Sequence, residues 1–311
     1  MGIGGIVMEI LSLVFELDCW SWGLIARYLQ KGLQQDFIVK TESFYKWYEK
    51  AKCEGDLILS QNVTQVPYIK ELDKTVCRLG GNRSFADGKA RVFLDKIAKC
   101  AAVIATNEYL STLAGSVNAN TQLIPNGLDL DIWKPKKGRK WLIKRPRVGF
   151  IGNIISYEKR EYKGYDYVKE ACDSLGLKLH EALFRDKQIP HDQMKEKFWD
   201  NIDIFVLPTQ GEGCSNSIME ATACGIPIIT TKTAGFHGEL MQHKENVLFC
   251  ERSTESIKKQ LKALIGNKEL FKKLHLGSRA FAEQHHDINV IADKYRKLFK
   301  SLYYSREHEV K

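Results

Sequence analysis

Short, mostly apolar runs recur along this chain, at 10–17, 101–106, 202–207 and 226–231, and turns and amphipathic helical stretches separate them. A strand covered on both faces reads as such a run, and strands that alternate with helices build a parallel sheet with helices on either side. This alternation constrains the fold more than any other feature. It calls for the α/β class, made of doubly wound halves.

The alternation occurs twice. The first series has the run 10–17, a turn at Asp18-Cys19-Trp20-Ser21, a helix over 22–33, strands at 55–59 and 101–106, and a helix over 108–114. A stretch rich in Pro, Gly and Lys at 134–140 then has the composition of a linker. The second series opens with a strand at 147–152 and continues with a helix over 163–175 and strands at 202–207 and 226–231. From 255 onward the chain is helical in period, with Gly266 and Gly277 as interruptions. These readings divide the chain into 1–138, 139–288 and a closing helix 289–311. No repeat suggests a solenoid.

With 311 residues and 44% hydrophobic content, the chain can bury two cores of ordinary size. The apolar stretch 3–17 is interrupted by Glu9 and Glu16 and falls short of the ~20 residues that span a bilayer. It lacks the basic flank of a signal peptide, and Ile6 stands where myristoylation wants Ser or Thr. The eight cysteines include no Cys-x-x-Cys pair and no His at metal-ligand spacing, which reads as scattered buried thiols in a reducing cytosol. A net charge of +9 points to a polyanionic partner: nucleic acid, an anionic membrane face or a phosphate-bearing substrate.

Residues 212–229 concentrate the chemistry. Strand 204–207 ends at Pro208, a polar loop with Gly211 and Gly213 follows, and a helix capped by Ser215 or Asn216 runs to Cys224 before Gly225 stops it. In open α/β sheets, ligands bind at the carboxyl ends of strands, and a helix start offers amides to a phosphate. Glu220, within that helix, suits the vicinal hydroxyls of a ribose. Glu212, in the loop, suits a second polyol beyond the phosphates, so the pair fits a nucleotide sugar. The competing reading is two solvated carboxylates that complement a helix dipole.

The segment from Glu212 through Glu220 to Ala221, Ala223, Cys224, Gly225, Pro227 and Ile228 resembles the E-x7-E signature of retaining GT-B glycosyltransferases of the family 4 type. Residues 123–135 resemble the passage between that family's two domains. Val148-Gly149-Phe150-Ile151-Gly152-Asn153, followed by Lys163-Gly164, resembles the strand, glycine turn and Lys-Gly that hold the donor diphosphate. The resemblance covers roughly 101–285. It implies a GT-B fold of two Rossmann-like domains facing a cleft, with a shortened N-terminal domain for the acceptor and a C-terminal domain for the donor. The last helix would cross back to the first domain.

The resemblance also implies roles. Glu220 would bind the ribose, Glu212 the donor sugar, and Gly152, Asn153, Gly213, Cys214, Ser215, Asn216 and Ser217 would surround the diphosphate. Lys163 would neutralise charge on the leaving group. Asn153 replaces the family's usual Arg, and Arg160, in a loop spanning 154–162, is either its substitute or a solvated charge. The first 138 residues contain no histidine, whereas relatives carry one near the sugar. A front-face transfer, in which the leaving diphosphate takes the acceptor proton, needs no such base.

Trp20, Ser21 and Trp22 occupy the place of a missing glycine loop, and they either line the acceptor side or fill an interface. Arg78 and Arg83 sit in a basic, Gly-containing stretch that either faces the cleft or forms a surface turn. Asp129-Leu130-Asp131 imitates a metal motif in a place that suits no metal, and His285-His286 reads as a helix end. The lysines near 258–273 read as a solvated face or as a contact with anionic lipid.

The expected function is retaining transfer of a sugar from a nucleoside-diphosphate sugar to a glycan, lipid-linked or small-molecule acceptor. It would need no cofactor and no metal, and would proceed in the cytoplasm, peripherally at a membrane or free of one. Alternatives are a sugar-nucleotide epimerase or hydrolase on the same fold, which would need an acid/base pair, and a non-catalytic basic carbohydrate- or nucleic-acid-binding protein. No nucleic-acid motif supports the last.

Overall fold

The computed structural model describes residues 9–14, 22–44, 55–85, 90–138, 141 and 143–309. They form two compact units, 1–128 with 287–311, and 129–286. The units thus divide at Leu128 rather than after the linker-like stretch. Trp133 explains the difference: it is 1% exposed, and Arg279 Nη1 donates to its carbonyl at 2.8 Å, so the segment leading up to the linker packs as part of the second unit.

In the first unit, the strands are β1 (Glu9–Val14), β2 (Ile38–Ser43), β3 (Leu57–Ser60), β4 (Thr75–Leu79), β5 (Ala102–Ala105) and β6 (Thr121–Leu123). They pair in the order β2-β1-β3-β4-β5-β6, every pair parallel. The helices are α1 (Trp22–Leu33), α2 (Ala90–Ile97) and α3 (Glu108–Gly115), the last capped by Asn107, whose side chain accepts from Leu110 N at 2.8 Å. Ile58, Cys77, Leu79, Val103 and Leu110 form the centre of a core under α2 and α3.

The basic stretch around Arg78 differs from its sequence reading. It is the buried strand β4, and Arg78 is 1% exposed, donating to Asn126 Oδ1 and, at 3.5 Å, to the Gln61 carbonyl. The polar Thr75 and Arg78 break the apolar run that would have marked it. Trp20 and Ser21 lie outside the described residues, as do the side chains of Trp22 and Arg83.

The second unit contains β7 (Val148–Gly152), α4 (Tyr157–Lys163), α5 (Tyr165–Leu175), β8 (Leu179–Leu183), α6 (His191–Lys197), β9 (Ile204–Leu207), α7 (Asn216–Ala223), β10 (Ile228–Thr230), α8 (Phe236–Leu240), β11 (Leu248–Phe249), α9 (Thr254–Leu264) and α10 (Lys268–His285). Its sheet runs β11-β10-β9-β7-β8, again all parallel. The strand order reverses direction between β7 and β9, and such a switch point is where doubly wound sheets hold ligands. Gly277 does not interrupt α10. It lets that helix approach the backbone of Glu245, where an added Cβ would stand 2.1 Å from the carbonyl oxygen.

Helix α11 (Ile288–Glu309) returns to the first unit and packs on α1. Arg296 Nε lies 2.5 Å from Asp36 Oδ2, Lys300 Nζ lies 3.2 Å from Asp36 Oδ1, and the rings of Phe37 and Phe299 meet edge to face. Among the described residues, no helix is long and apolar enough to cross a membrane. The described cysteines are free and buried, with burial pushing the Cys100, Cys172 and Cys250 thiols up to about 12, so these three are inert. Cys19 and Cys53 lie outside the described residues.

Candidate functional site

The loops that leave β7 and β9 meet at the switch point. After Gly152, Asn153 turns the chain by accepting from Ile155 N at 3.2 Å, and Ser156 caps α4. The expected loop 154–162 is therefore largely helical, and Lys163 is its last helical residue rather than the start of the next helix. Gly164 separates α4 from α5 in a left-handed conformation with φ +68°. A Cβ there would stand 2.7 Å from the Pro208 carbonyl oxygen, so only glycine lets the α4–α5 corner rest against the end of β9.

That contact delivers Lys163 to Glu212. Lys163 Nζ lies 2.5 Å from Glu212 Oε1, which also accepts from Thr209 Oγ1 at 3.1 Å. Their side chains are 25% and 15% exposed, so the pair is reachable but largely shielded from solvent. Two further ties secure the corner. Gln210 N donates to the Tyr162 carbonyl at 2.8 Å, and Arg252 bridges the Pro208 carbonyl at 3.2 Å to the Glu161 carbonyl.

Arg160 is engaged elsewhere. Its guanidinium holds Asp166 Oδ1, with Nε at 2.8 Å, and covers the Tyr165 ring. The left-handed turn at Gly164 folds the end of α4 onto the first turn of α5, which brings these two side chains together. The structure therefore joins Lys163 with Glu212 and leaves Arg160 as a brace of the corner.

Beyond Gly213 and Cys214, Ser215 caps α7 by position, but its hydroxyl pairs with Ser217 Oγ at 3.1 Å and makes no side-chain bond to the helix amides. The first-turn N–H groups of a helix lack intrahelical acceptors, so this end can serve an anion.

Glu220 lies on the inner face of α7 and is 5% exposed. Its Oε1 lies 3.1 Å from His191 Nε2, and its Oε2 accepts from Trp199 Nε1 at 2.9 Å. His191 in turn packs on Trp133, with ring centroids 5.2 Å apart. This anchored carboxylate contradicts the picture of a solvated helix-end glutamate. His191, Trp199, Thr209 and Arg252 were not readable as site residues, because no spacing ties them to the two glutamates. A search for polar groups at the ends of neighbouring strands is the one signal that reaches Thr209.

Asp129, of the metal-like Asp-Leu-Asp, accepts from Asp131 N at 3.0 Å and shapes a turn.

Comparison with known proteins places this geometry. Residues 185–267, which run from before α6 through α9, match the family model described as Glycosyl transferases group 1. An uncharacterized glycosyltransferase of Haemophilus influenzae is 33% identical over 159 residues, 43% of this chain and 44% of that protein. The N,N'-diacetylbacillosaminyl-diphospho-undecaprenol alpha-1,3-N-acetylgalactosaminyltransferase of Campylobacter jejuni is 29% identical over 100 residues, 32% of this chain and 26% of that one. The chain thus spans less than half the length of these curated relatives. Among solved structures, Anabaena HepE in complex with UDP and glucose superposes with a TM-score of 0.73 at 17% identity, covering 94% of this chain and all of that one. The two parallel-sheet units therefore constitute the GT-B fold, with the sequence pattern of the group 1 glycosyl transferases matched over 185–267.

Proposed function

We propose that the chain is a glycosyltransferase that moves a sugar from a nucleoside-diphosphate sugar to an acceptor hydroxyl with retention of configuration. The Lys163–Glu212 pair at the switch point, beside the start of α7, carries this reading. The family match over 185–267 and the glycosyltransferase relatives support it.

In the proposed reaction the diphosphate sits against the amides of 213–217, and the ribose hydroxyls donate to Glu220, whose oxygens retain lone pairs beyond those facing His191 and Trp199. Lys163 moves from Glu212 to the leaving diphosphate, where it stabilises charge that builds only in the transition state. Glu212, released, accepts hydrogen bonds from the sugar. The bond from the anomeric carbon to the diphosphate oxygen breaks while the acceptor oxygen bonds on the same face, and the acceptor proton passes to the leaving oxygen. With Lys163 in that place, no hard cation such as Mg2+ is required on the diphosphate.

UDP-glucose is the first donor to test, given the UDP and glucose bound to HepE. The acceptor class we favour is a lipid-linked glycan, the type named for the Campylobacter relative. Such an acceptor would be met at the cytoplasmic face of an anionic membrane, towards which the exposed Lys259, Lys262, Lys268 and Lys272 of α9 and α10 offer charge.

The test is a thermal-shift screen with UDP, GDP, ADP, dTDP and CMP, with and without Mg2+. A nucleotide at ~100 times its dissociation constant stabilises a fold by ~2.7 kcal/mol. One diphosphate that raises the melting temperature independently of Mg2+, and fails to do so in Glu220→Ala, is the expected result. No response to any nucleotide overturns the proposal. The anomeric configuration of the product, read by NMR, decides retention.

A further inference from the structure

Cys214, His237 and His286 are far apart in sequence, yet the fold brings them together inside the second unit. They are 5%, 0% and 0% exposed, and their ligand atoms all lie within 4.8 Å of one another. The two imidazoles face each other directly, Nε2 to Nε2, at 3.1 Å. We propose that these three side chains form a buried site for a borderline or soft cation, Zn2+ or Cu+, that ties the loop bearing Glu212 to α8 and to the end of α10.

The distances suit such an ion. A tetrahedral Zn2+ holds imidazole nitrogens at ~2.0–2.1 Å and thiolate sulfur at ~2.3 Å, which sets the two nitrogens ~3.3 Å apart and nitrogen from sulfur ~3.6 Å apart. The imidazole pair, at 3.1 Å, is already near that separation, and the sulfur, within 4.8 Å of both nitrogens, needs to close by at most about 1.2 Å to join it. A neutral imidazole donating to its neighbour explains the 3.1 Å contact alone. It leaves unexplained why a thiol of the same ligand class lies beside two histidines in a sealed apolar place. A cation shared by the three groups accounts for their common burial.

The backbone holds the three in place. Cys214 and Gly235 form an antiparallel bridge, and Phe236 N donates to the Gly213 carbonyl at 2.9 Å. Gly235 has φ +60°, and a Cβ on it would stand 2.2 Å from the Gly213 carbonyl oxygen, so the approach that places His237 against Cys214 requires glycine. His286 caps α10, with its N–H donated to the Ala282 carbonyl at 2.8 Å. Phe236 and Phe281 pack around the imidazoles and exclude water.

On binding, the Cys214 thiol releases its proton to solvent and ligates as thiolate, while each histidine ligates as a neutral ring with its proton on the other nitrogen. Three protein ligands satisfy a three-coordinate Cu+ or leave Zn2+ a fourth position for a small donor taken up with it. The N and S donor set discriminates against Mg2+ and Mn2+, which prefer oxygen, so this site is distinct in chemistry from any cation on a diphosphate. Cys214 lies two residues after Glu212 and next to the cap of α7, so the ion would stiffen the segment that carries the candidate chemistry. The site itself does not depend on the glycosyltransfer reading.

Cobalt substitution tests the proposal. The chelator-stripped full chain is titrated with Co2+, and a thiolate-to-cobalt charge-transfer band with intense tetrahedral d–d absorption should grow to one equivalent and vanish on adding Zn2+. Cys214→Ala and His286→Gln, checked for folding by circular dichroism, should lose the band and bind Zn2+ weaker by at least about 10²-fold, whereas Cys224→Ala should keep both. X-ray absorption on the Zn2+-loaded natural chain, which needs no variant to fold, should count one sulfur and two imidazole nitrogens. A folded chain that takes up no metal, a band that survives both ligand substitutions, or an oxygen-rich shell overturns the proposal.

Discussion

Trp199 Nε1 donates to Glu220 Oε2 at 2.9 Å in a region where the indole is fully buried and the carboxylate nearly so. The indole therefore sets the plane of the carboxylate, and His191 steadies the other oxygen at 3.1 Å. Replacing Trp199 by Phe keeps an aromatic ring but removes the donor, and a buried acceptor left short of a partner costs ~1–3 kcal/mol. Urea unfolding should show that loss. Nucleotide affinity should fall with it, and a variant that is less stable but binds nucleotide undiminished would confine Trp199 to a structural role.

Lys163→Ala should lower kcat by ~10²–10³-fold, the scale for losing one group that stabilises transition-state charge, with a smaller change in donor KM. Lys163→Arg should recover part of the loss, because the cation remains. Steady-state kinetics against the donor supplies both numbers, and a fall in kcat below about tenfold would remove Lys163 from the leaving group.

Gly164→Ala and Gly176→Ala make an informative pair. Both glycines are left-handed, with φ +68° and +60°, but a Cβ at 176 meets nothing within 4 Å while one at 164 meets the Pro208 carbonyl at 2.7 Å. Gly176→Ala should therefore cost about 1 kcal/mol from backbone strain. Gly164→Ala should cost more, up to ~3 kcal/mol, and should also depress activity by separating Lys163 from Glu212. Equal melting temperatures for the two variants would contradict the close packing of this corner.

Acid should loosen α11 through Asp36. Burial alone would raise its carboxyl, but hydrogen bonds and charge from Arg296 and Lys300 outweigh that and hold it below its ordinary value. A carboxylate whose folded pKa is depressed stabilises the fold above its unfolded value of about 3.9, and the contribution disappears as pH falls through the folded value. Asp36→Asn should thus be less stable than the natural chain at pH 7, and the two should converge below pH ~4. Parallel stability curves from pH 7 to pH 3 would contradict this.

Strands β1, β3, β5, β7, β9 and β10 and the Glu212-to-Glu220 segment were legible because apolar runs and a Gly-bounded helix leave marks along the sequence itself, whereas β2, β6, β8 and β11 are short or polar and leave none. Strand β4 was not legible either, since the polar Thr75 and Arg78 break its apolar run, and Arg78 is satisfied by Asn126, a distant group that only folding supplies. The same reason hid His191 and Trp199, which lie 29 and 21 residues before the glutamate they hold. The helix over Tyr157–Lys163 went unread because its charged residues bury no side chain, so no apolar stripe announces it. Cys214, His237 and His286 gave no metal-ligand spacing at all, because they converge through a glycine-dependent backbone approach rather than through a local motif.

The return of α11 to the first unit has a consequence for synthesis. Leu128 and Asp287 bridge side by side, so the second unit is an insertion whose two ends leave the first unit at neighbouring points. Residues 129–286 are all translated before α11 exists, and α1, though it can rest on β1 and β2, lacks its α11 contact until then. The second unit can therefore be folded on the ribosome while the first still waits, which reverses the usual amino-to-carboxyl order of domain folding. During that interval Gly32 and Phe37, which meet Ala292 and Phe299 of α11 in the finished fold, stay open to chaperones.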